Sequence, residues 1–503
     1  MNLYKTLTRW APAAGCILSG TITCAAMTTE VFQTSRDGDR LTALPALLVA
    51  EHPHELEVAL NPEQTYQSIV GIGGAFTESS AVVLQKMSRE KRMEVIDAYF
   101  SEAGAAYSLM RTHVGGCDFS LGSYNYAPNP NDEELEEFSI REDRDDLIPL
   151  IKDAQEASRD GFNILASPWT APSWMKDNNS PLAGHLLKEH YGTYARYFAK
   201  YIKAYAEEGI PVWGITVINE PEGNGGQWDS MHMSPEEMAE LVADYIGPEF
   251  EKQEIEAKIL IFDQNREHAK EWTDRYYENR EALSYTAGTA LHWYSSTYEV
   301  HEEVIRDILR ANPGQFVMHT EGCIDAINSV PQGDWLKDDW YWRKECTDWG
   351  YHWAEPENRH HHPKYKPFFR YARNLLGSLQ SGMCGWIDWN IVLDFNGGPN
   401  HAQNWCLAPI LCDPESDTVY KTPLYYAMAH YSKFVRPGAV RIACPEMVLG
   451  VMSGAFRNPN GSIVVILLNE EPETKRFSIS LKGSYYEGEL KAEALQTILF
   501  KEE

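Results

Sequence analysis

Two glutamates in this 503-residue sequence each stand at the end of a short apolar, β-branched run. Glu220 follows residues 212–218 (VWGITVI) within Asn219-Glu220-Pro221, and Glu321 follows residues 316–320 (FVMHT). Two carboxyl groups held about 5–5.5 Å apart can cleave a glycosidic bond with retention, one as nucleophile and the other as acid and then base. That chemistry requires a fold that brings both glutamates to one opening.

The surrounding sequence alternates between strands and helices from residue 69 to about residue 434. Eight apolar runs separate segments of helical period, at residues 69–76, 106–114, 162–167, 212–219, 259–263, 287–294, 316–320 and 384–390. Strands that alternate with helices indicate parallel β/α units, and eight units fit an α/β fold of the (β/α)8 (TIM) barrel type. Because active sites of such barrels lie at the carboxyl ends of the strands, Glu220 and Glu321 would face each other across the opening.

Two of the intervening helices have clear boundary signals. Between residues 191 and 208, aromatic and aliphatic side chains recur at helical spacing, and Gly209 can end that helix. Ser234, Pro235 and Glu237 form the pattern of a capping box at the start of another helix. We interpret the aromatic stripe of the first helix as packing against the barrel, not as a ligand site.

The two ends of the chain show the alternation typical of strands, at residues 56–60, 462–469, 476–481 and 489–499. They predict a small β-sandwich built from both termini and docked on the barrel. We therefore expect residues 27–68 and 435–503 to form the sandwich, and residues 69–434 to form the catalytic barrel.

Residues 1–26 have the features of a signal peptide, since Lys5 and Arg9 precede a mostly apolar stretch. A mis-assigned start is the alternative, because Met27 would serve well as the first residue. Seven cysteines follow this segment without a C-x-x-C pair, which predicts mostly free thiols and favours a reducing compartment. The sequence therefore leaves open whether the protein is cytoplasmic or exported.

Charge and hydropathy restrict the partners. A formal net charge of −29 repels a phosphate backbone and an anionic membrane surface, so nucleic acid is excluded as a partner and neutral substrates are favoured. After residue 26 no apolar run reaches the roughly 18–20 residues that a membrane helix needs. Small-molecule, oligosaccharide or glycolipid substrates all remain compatible, and the oligomeric state is open.

Three other motifs do not support a different chemistry. The glycine-rich residues 71–76 (GIGGAF) have phenylalanine where a dinucleotide-binding loop needs its third glycine. The run Arg359-His360-His361-His362 lacks the i, i+4 spacing of helical metal ligands, so we expect a polar surface loop there. No G-x-S-x-G elbow of a serine hydrolase is present. We predict no cofactor and no catalytic metal.

An ordered set of motifs carries a family resemblance. Besides Arg111 it comprises residues 71–78 (GIGGAFTE), 117–120 (CDFS), 167–172 (SPWTAP), 219–221 (NEP), 292–294 (HWY), 386–390 (WIDWN) and 397–400 (GGPN). The set resembles glycoside hydrolase family 30 and, within it, the glucosylceramidase (acid β-glucosidase) branch. The resemblance covers residues 68–436 and extends into the flanking β domain.

The resemblance implies a role for each matching position. Glu220 matches the acid/base and Glu321 the nucleophile, while Arg111 and His292 match residues that orient the nucleophile. Further positions match residues that contact the sugar or lie beside the nucleophile: Asp118, Trp169, Asn219, Tyr294, Trp389 and Asn404. Among these, Asn219 matches the partner of the sugar 2-hydroxyl, a hydrogen bond that strengthens in an oxocarbenium-like transition state.

The substrate is less constrained than the reaction. The resemblance implies a retaining β-glycosidase that acts on β-glucosides, as glucosylceramidases do, or on related glycosides such as β-xylosides. A β-1,6-glucanase-type endo-enzyme and a non-catalytic carbohydrate-binding protein on the same fold are the alternatives. Residues 331–362, between the seventh and eighth strands, are expected to shape the aglycone side of the cleft, which puts a ceramide preference in doubt.

Overall fold

The computed structural model describes residues 27–325, 333–344 and 354–502. The candidate leader at residues 1–26 lies outside the described residues, as do parts of the segment 331–362. Within the described chain, no helix is both long and apolar enough to span a bilayer.

Parallel strands close into a barrel, which confirms the predicted (β/α)8 architecture. The eight barrel strands are Gly71–Gly73 with its continuation Ala75–Phe76, Leu109–Val114, Asn163–Pro168, Gly214–Thr216, Lys258–Asn265, Thr286–His292, Phe316–Glu321 and Gly385–Ile387. The ring closes because Gly71–Gly73 pairs with the eighth strand while Ala75–Phe76 pairs with the second. The fourth strand is shorter than predicted, so residues 217–220 lie beyond the ladder at the barrel opening.

Helices surround the barrel, as the alternating pattern predicts. The described α-helices are Glu78–Lys86, Arg89–Phe100, Leu147–Ala157, Tyr191–Glu207, Pro235–Leu241, Gly247–Lys252, Ala269–Tyr276, Arg280–Tyr285, Glu302–Ala311, Pro367–Gln380 and Pro423–Ser432. The aromatic stripe of Tyr191–Glu207 is buried, and Ser234 caps Pro235–Leu241 through a complete capping box with Glu237. Both helix predictions are confirmed.

The barrel interior is built in layers. Near its amino-terminal end the inward-facing side chains are mainly apolar: Leu109, Leu165, Leu260, Ala290, Met318, Cys384 and Ile387. Because alternate residues of a strand face the same side, the residues two positions later also face inward, closer to the opening. Several of those are buried polar residues: Arg111, Ser167, His292 and Thr320. A polar layer therefore lies on an apolar floor and supports the opening from below.

The glycines of residues 71–76 are explained by the close approach of the first two strands. A Cβ added at Gly71 would lie 2.8 Å from the Cβ of Leu109, and one added at Gly73 would collide with the Leu109 carbonyl oxygen. Real Cβ atoms do not approach this closely, so these positions need glycine for packing.

Strands from both ends of the chain form the β-sandwich. One sheet contains Met27–Ser35, Thr42–Leu44, Asn61–Ser68, Val440–Ala443, Met447–Val448, Val451–Arg457, Ile463–Asn469 and Ala494–Glu502, and the other contains Leu48–Ala50, Glu57–Ala59, Lys475–Leu481 and Ser484–Leu490. The prediction of one strand over residues 489–499 is wrong, because one strand ends at Leu490 and the next begins at Ala494. Glu493, just before the second, has a left-handed φ of 46°. The domain boundaries at residues 69 and 434 stay a prediction.

Candidate active site

A cavity of about 450 Å³ opens at the carboxyl ends of the barrel strands. Eight residues singled out from the sequence line it: Asp118, Trp169, Asn219, Glu220, Tyr294, Glu321, Trp389 and Asn404. Arg111 and His292 are fully buried and hydrogen-bond to Glu321 and Glu220, respectively. The structure thus brings all ten candidate residues together.

The carboxylates of Glu220 and Glu321 approach each other in this cavity. One oxygen of Glu220 and one of Glu321 lie within 4.8 Å of each other. Their side chains are 17% and 8% exposed, so both are shielded from bulk water yet reach the cavity. Carboxyl groups about 5–5.5 Å apart fit direct attack by one of them, whereas about 6.5–9.5 Å would leave room for a water molecule between.

Glu220 has an unusual backbone conformation. Its φ of 50° lies in the left-handed region, which costs a residue with a Cβ about 1–2 kcal/mol. The cost is offset by neighbouring strand ends: the Glu220 N–H donates to the Asp263 carbonyl oxygen at 3.0 Å, and the Asn219 N–H donates to the Pro168 carbonyl oxygen at 2.7 Å. These bonds hold the short segment after the fourth strand and direct the Glu220 carboxylate toward Glu321.

Glu321 is held by hydrogen bonds to both of its oxygens. The Arg111 guanidinium donates to Oε2, and the Tyr294 hydroxyl donates to Oε1 at 3.0 Å. Burial raises the pKa of Glu321, while the cations of His292 and Arg111 oppose that rise and favour the carboxylate. Two donors also fix the rotation of the carboxylate, as a nucleophile requires.

Asp263 organises the polar layer below the two glutamates, and it was missed in the sequence. One of its oxygens accepts from Arg111 Nη2 at 2.7 Å and from the Thr216 hydroxyl at 2.6 Å. The other accepts from His292 Nε2 at 2.9 Å and from the Thr320 hydroxyl at 2.7 Å. Although burial opposes it, the charges of Arg111 and His292 keep the pKa of Asp263 well below its usual range. The signal available in the sequence was an aspartate at the end of the apolar run 259–263.

His292 connects Asp263 to Glu220. Its Nε2 bonds to Asp263 and its Nδ1 lies 3.2 Å from Glu220 Oε1. Burial alone would lower the pKa of His292, but the charges of Glu321 and Asp263 raise it to about 9. The raised pKa favours the doubly protonated ring at neutral pH, and such a ring can donate to Asp263 and to a carboxyl oxygen of Glu220.

Two glutamates and a histidine in one cluster raise the question of a metal site. Glu220, His292 and Glu321 are close enough to hold an ion together. A histidine ligand must offer a nitrogen lone pair, whereas the raised pKa of His292 favours the ring with both nitrogens protonated. The group therefore suits proton transfer and charge stabilisation better than metal ligation.

The wall on the side of the second strand can hold a sugar ring. Trp169 and Trp389 stack with ring centroids 5.2 Å apart, and the Arg111 guanidinium lies 4.9 Å from the centre of Trp169. Asn404 Nδ2 donates to Asp118 Oδ2 at 3.2 Å. Asp118 Oδ1 is buried and accepts no hydrogen bond from the described residues, so a substrate hydroxyl can donate to it.

The amide of Asn219 is oriented by the polar layer. Arg111 Nη2 donates to Asn219 Oδ1 at 2.8 Å. The Asn219 NH₂ group is consequently the donor left to face the cavity.

Other cavity residues were not singled out in the sequence: Asn224, Gln227, Trp228, Asn265, Cys323, Asp325 and Cys406. The described cysteines are free thiols, as predicted, and Cys346 lies outside the described residues. The sulfur atoms of Cys323 and Cys406 lie 3.2 Å apart beside Tyr294. The seven residues come from four separate segments, at or after the ends of the fourth, fifth, seventh and eighth strands, so sequence spacing gave no signal for their convergence.

Comparison with known proteins identifies the family. Residues 69–359 and 350–435 match the glycosyl hydrolase family 30 TIM-barrel domain, and residues 438–498 match the β-sandwich domain of that family. Lysosomal acid glucosylceramidase of Mus musculus is 29% identical over 463 residues, covering 89% of this chain and 84% of the mouse protein.

Two solved structures are also similar. SrfJ from Salmonella typhimurium superposes with a TM-score of 0.83 at 27% identity, covering 95% of this chain and 100% of SrfJ. An endo-β1,6-glucanase superposes with a TM-score of 0.79 at 27% identity, covering 94% of this chain and 99% of the glucanase. The resemblance inferred from the motifs is confirmed: the chain belongs to glycoside hydrolase family 30 and is a glycoside hydrolase.

Proposed function

We propose that this protein hydrolyses β-glucosides with retention of anomeric configuration, with Glu321 as nucleophile and Glu220 as acid/base. The observation that carries the proposal is the approach of one oxygen from each carboxylate to within 4.8 Å on the floor of a tryptophan-walled cavity. This separation suits double displacement.

In the first half of the reaction, a Glu321 oxygen attacks the anomeric carbon. Glu220 gives its proton to the glycosidic oxygen, so that the bond to the leaving group breaks and the aglycone departs as an alcohol. The product is a glycosyl ester of Glu321. The Arg111 and Tyr294 hydrogen bonds hold the attacking carboxylate in place.

In the second half, Glu220 acts as a base. Its carboxylate takes a proton from a water molecule, and the water oxygen attacks the anomeric carbon and displaces Glu321. The sugar is released with its original configuration, Glu321 is again a carboxylate and Glu220 is again protonated. The protonated His292 beside both glutamates offsets the negative charge that they share.

The non-reducing sugar is proposed to occupy the side of the cavity built from Asp118, Trp169, Trp389 and Asn404. The stacked indole rings provide an apolar surface, and the free Asp118 oxygen provides an acceptor for a hydroxyl. Asn219 is placed to donate to the 2-hydroxyl, since its own oxygen is engaged by Arg111.

Two substrate classes follow from the relatives. The name of the mouse relative makes glucosylceramide a candidate, and that of the solved glucanase makes β-1,6-linked glucan a second candidate. A panel of p-nitrophenyl β-glucoside, β-xyloside, β-fucoside and β-galactoside tests the sugar. We expect the β-glucoside to give the highest kcat/KM.

Substitution of the two glutamates tests the mechanism and separates an enzyme from a non-catalytic sugar-binding protein. We expect Glu321→Gln to abolish turnover of an aryl β-glucoside. Glu220→Ala should lower turnover about 10²–10⁴-fold for a substrate with a poor leaving group and less for one with an activated leaving group. Azide should restore turnover of this variant, because it attacks the glycosyl-enzyme without base assistance. Wild-type turnover by Glu321→Gln would remove that residue from the nucleophile role, and azide rescue at another carboxylate would reassign the acid.

A further inference from the structure

Two cysteine thiols lie side by side in the wall of the active-site cavity. Cys323 and Cys406 both line the cavity, and their sulfur atoms are 3.2 Å apart. The two residues are separated by 83 positions in the chain, so the fold brings their sulfurs together. Neither thiol takes part in the proposed double displacement, and the pair is therefore a separate chemical feature of the site.

Backbone hydrogen bonds hold both cysteines in place. The short strand Ile324–Asp325, directly after Cys323, pairs antiparallel with the strand Cys406–Leu407. The Trp293 indole N–H also donates to the Cys323 carbonyl oxygen at 3.1 Å. Because these bonds fix the two segments relative to each other, the sulfurs stay neighbours in the folded protein.

The pair can be reached by a small oxidant from the cavity. Cys323 is 1% and Cys406 is 3% exposed, so large reagents are kept away while both side chains still border the cavity. Burial raises the pKa of Cys323 and raises the pKa of Cys406 further above its usual range. Cys323 is consequently the thiol that more readily forms the thiolate, which is the form that attacks an oxidant.

We propose that Cys323 and Cys406 form a reversible disulfide when a peroxide enters the cavity, and that this bond lowers the activity of the enzyme. First, the Cys323 thiolate attacks one oxygen of hydrogen peroxide. The O–O bond breaks, Cys323 becomes a sulfenic acid, and the departing hydroxide takes up the proton that the thiol released and becomes water. The Cys406 sulfur then attacks the sulfenic sulfur. The S–O bond breaks, and the second hydroxide leaves as water with the Cys406 proton. The two sulfurs together lose two electrons, and the peroxide gains them.

The disulfide would disturb the site through neighbouring residues. The Cys323 sulfur lies 3.4 Å from the Tyr294 hydroxyl, which donates to Glu321 at 3.0 Å. Cys406 stands two residues after Asn404, which belongs to the proposed sugar-binding wall. A disulfide needs about 2.0 Å between its sulfurs, so the pair must close by about 1.2 Å from its present 3.2 Å.

A misplacement of about 1 Å in a positioning group can lower a rate about 100-fold. Closure of the pair is therefore expected to slow turnover. This effect rests on the proposed function, because it acts through the hydrogen bond to the proposed nucleophile Glu321.

The test compares the full-length enzyme before and after treatment with hydrogen peroxide. Free thiols are then blocked with N-ethylmaleimide, and a peptic digest is searched by mass spectrometry for two peptides joined through Cys323 and Cys406. Hydrolysis of p-nitrophenyl β-glucoside is measured before treatment, after treatment and after reduction with dithiothreitol. We expect the joined peptides, a decrease in kcat/KM of about tenfold or more, and recovery with dithiothreitol.

Variants show whether the pair causes the effect, each compared with the same variant before treatment. Cys406→Ser and Cys323→Ser each remove one sulfur of the pair, so neither should show a loss of activity that dithiothreitol reverses. The matched control is Cys412→Ser, because Cys412 is another buried free thiol but does not line the active-site cavity. This control should keep both the joined peptides and the reversible loss.

Three outcomes would overturn the inference. They are the absence of a bond between Cys323 and Cys406, an unchanged kcat/KM in the enzyme that carries this bond, and an equal reversible loss in Cys406→Ser. Absence of aryl glucoside hydrolysis by the untreated enzyme would instead contradict the proposed function.

Discussion

The substitution Asp263→Asn tests the hydrogen bonds that position Arg111 and His292, without changing the two reacting glutamates. Asp263 touches no cavity surface, yet it accepts hydrogen bonds from Arg111, His292, Thr216 and Thr320. An amide at this position keeps the shape of the side chain but removes the charge and turns one acceptor into a donor. Arg111 and His292 would then be left as buried cations with a weakened partner.

The size of the expected decrease in kcat/KM is estimated from the hydrogen bonds of Asp263 with Arg111 and His292. Removing one member of a buried charge pair costs about 3–5 kcal/mol, and the remaining amide oxygen can recover part of it as one neutral hydrogen bond of about 1 kcal/mol. This is a cost in folding stability; if the loss of Arg111 and His292 positioning weakens transition-state binding by a similar amount, about 3 kcal/mol, kcat/KM decreases about 100-fold, because about 1.4 kcal/mol is tenfold. We therefore expect Asp263→Asn to lower kcat/KM on p-nitrophenyl β-glucoside about 100-fold.

The assay must distinguish positioning from loss of folded protein. Arg111 links Asp263 to Asn219, the proposed partner of the sugar 2-hydroxyl. The decrease in kcat/KM caused by Asp263→Asn should consequently be at least fivefold smaller on the 2-deoxy analogue than on the aryl glucoside itself. The control is Asp143→Asn, another fully buried aspartate, which accepts from the hydroxyls of Tyr124, Tyr126 and Tyr205.

We expect Asp143→Asn to lower the melting temperature while kcat/KM stays within about threefold of wild type. The reasoning on Asp263 is refuted if Asp263→Asn retains kcat/KM within threefold of wild type. It is also refuted if the variant loses equal activity on the glucoside and its 2-deoxy analogue.

Two further predictions follow from the same geometry. Tyr294→Phe removes the hydroxyl that donates to Glu321 at 3.0 Å. Because a hydrogen bond to a charged group contributes about 1.5–3 kcal/mol, kcat should fall about 10- to 100-fold. An unchanged kcat in steady-state assays would contradict this prediction. The pKa of His292 is raised to about 9 from an ordinary value of 6.5, so its protonation contributes about 3 kcal/mol to the free energy of unfolding. This contribution is fully present below pH 6.5 and is lost as the pH rises through 9. Urea unfolding should show the loss between pH 6.5 and 9.5, and His292→Gln should abolish this pH dependence. His430, which lies between Thr34 and Thr497, has its pKa lowered to about 3, so its effect on stability has the opposite pH dependence. Its contribution to the free energy of unfolding is present above pH 6.5 and is lost as the pH falls toward 3. His430→Gln should therefore leave the loss of stability between pH 6.5 and 9.5 unchanged.

The barrel and its principal glutamates could be predicted from the sequence because their signals are local. Strand periodicity, the capping box at Ser234 and the carboxylates at strand ends each depend on a few consecutive residues. The alternation of inward-facing residues then places Arg111 and His292 in one layer by simple counting along each strand.

Asp263 shows why other features could not be predicted. Counting two residues from Leu260 would turn Phe262 inward, but the pairing of the fifth and sixth strands shifts register between Phe262 and Gln264. Phe262 and Asp263 both have left-handed backbones, with φ values of 73° and 57°. This bulge gives Asp263 the inward position, and a bulge depends on contacts with neighbouring strands that no local pattern records.

A second cavity of about 390 Å³, which shares Asn265 and Tyr294 with the active-site cavity, could not be predicted for a related reason. Its walls come from the loops after the fifth, sixth and seventh strands, which meet only when the barrel has closed. The expectation of a polar surface loop at Arg359-His360-His361-His362 holds for the exposed His360 but is wrong for His362, which is 4% exposed. The position of this run depends on hydrogen bonds from Ser296 and Thr297 to the His361 carbonyl oxygen.

Covalent trapping tests the central claim most directly. A 2-deoxy-2-fluoro-β-glucosyl fluoride supplies a good leaving group and slows the second step, so the glycosyl ester accumulates and can be located by mass spectrometry of a peptic digest. The geometry predicts a single fluoroglucosyl group on the peptide containing Glu321, which disappears when a glucoside acceptor is added. Label on any other carboxylate, or a turnover that never forms a covalent species, would contradict the assignment of Glu321 as the nucleophile.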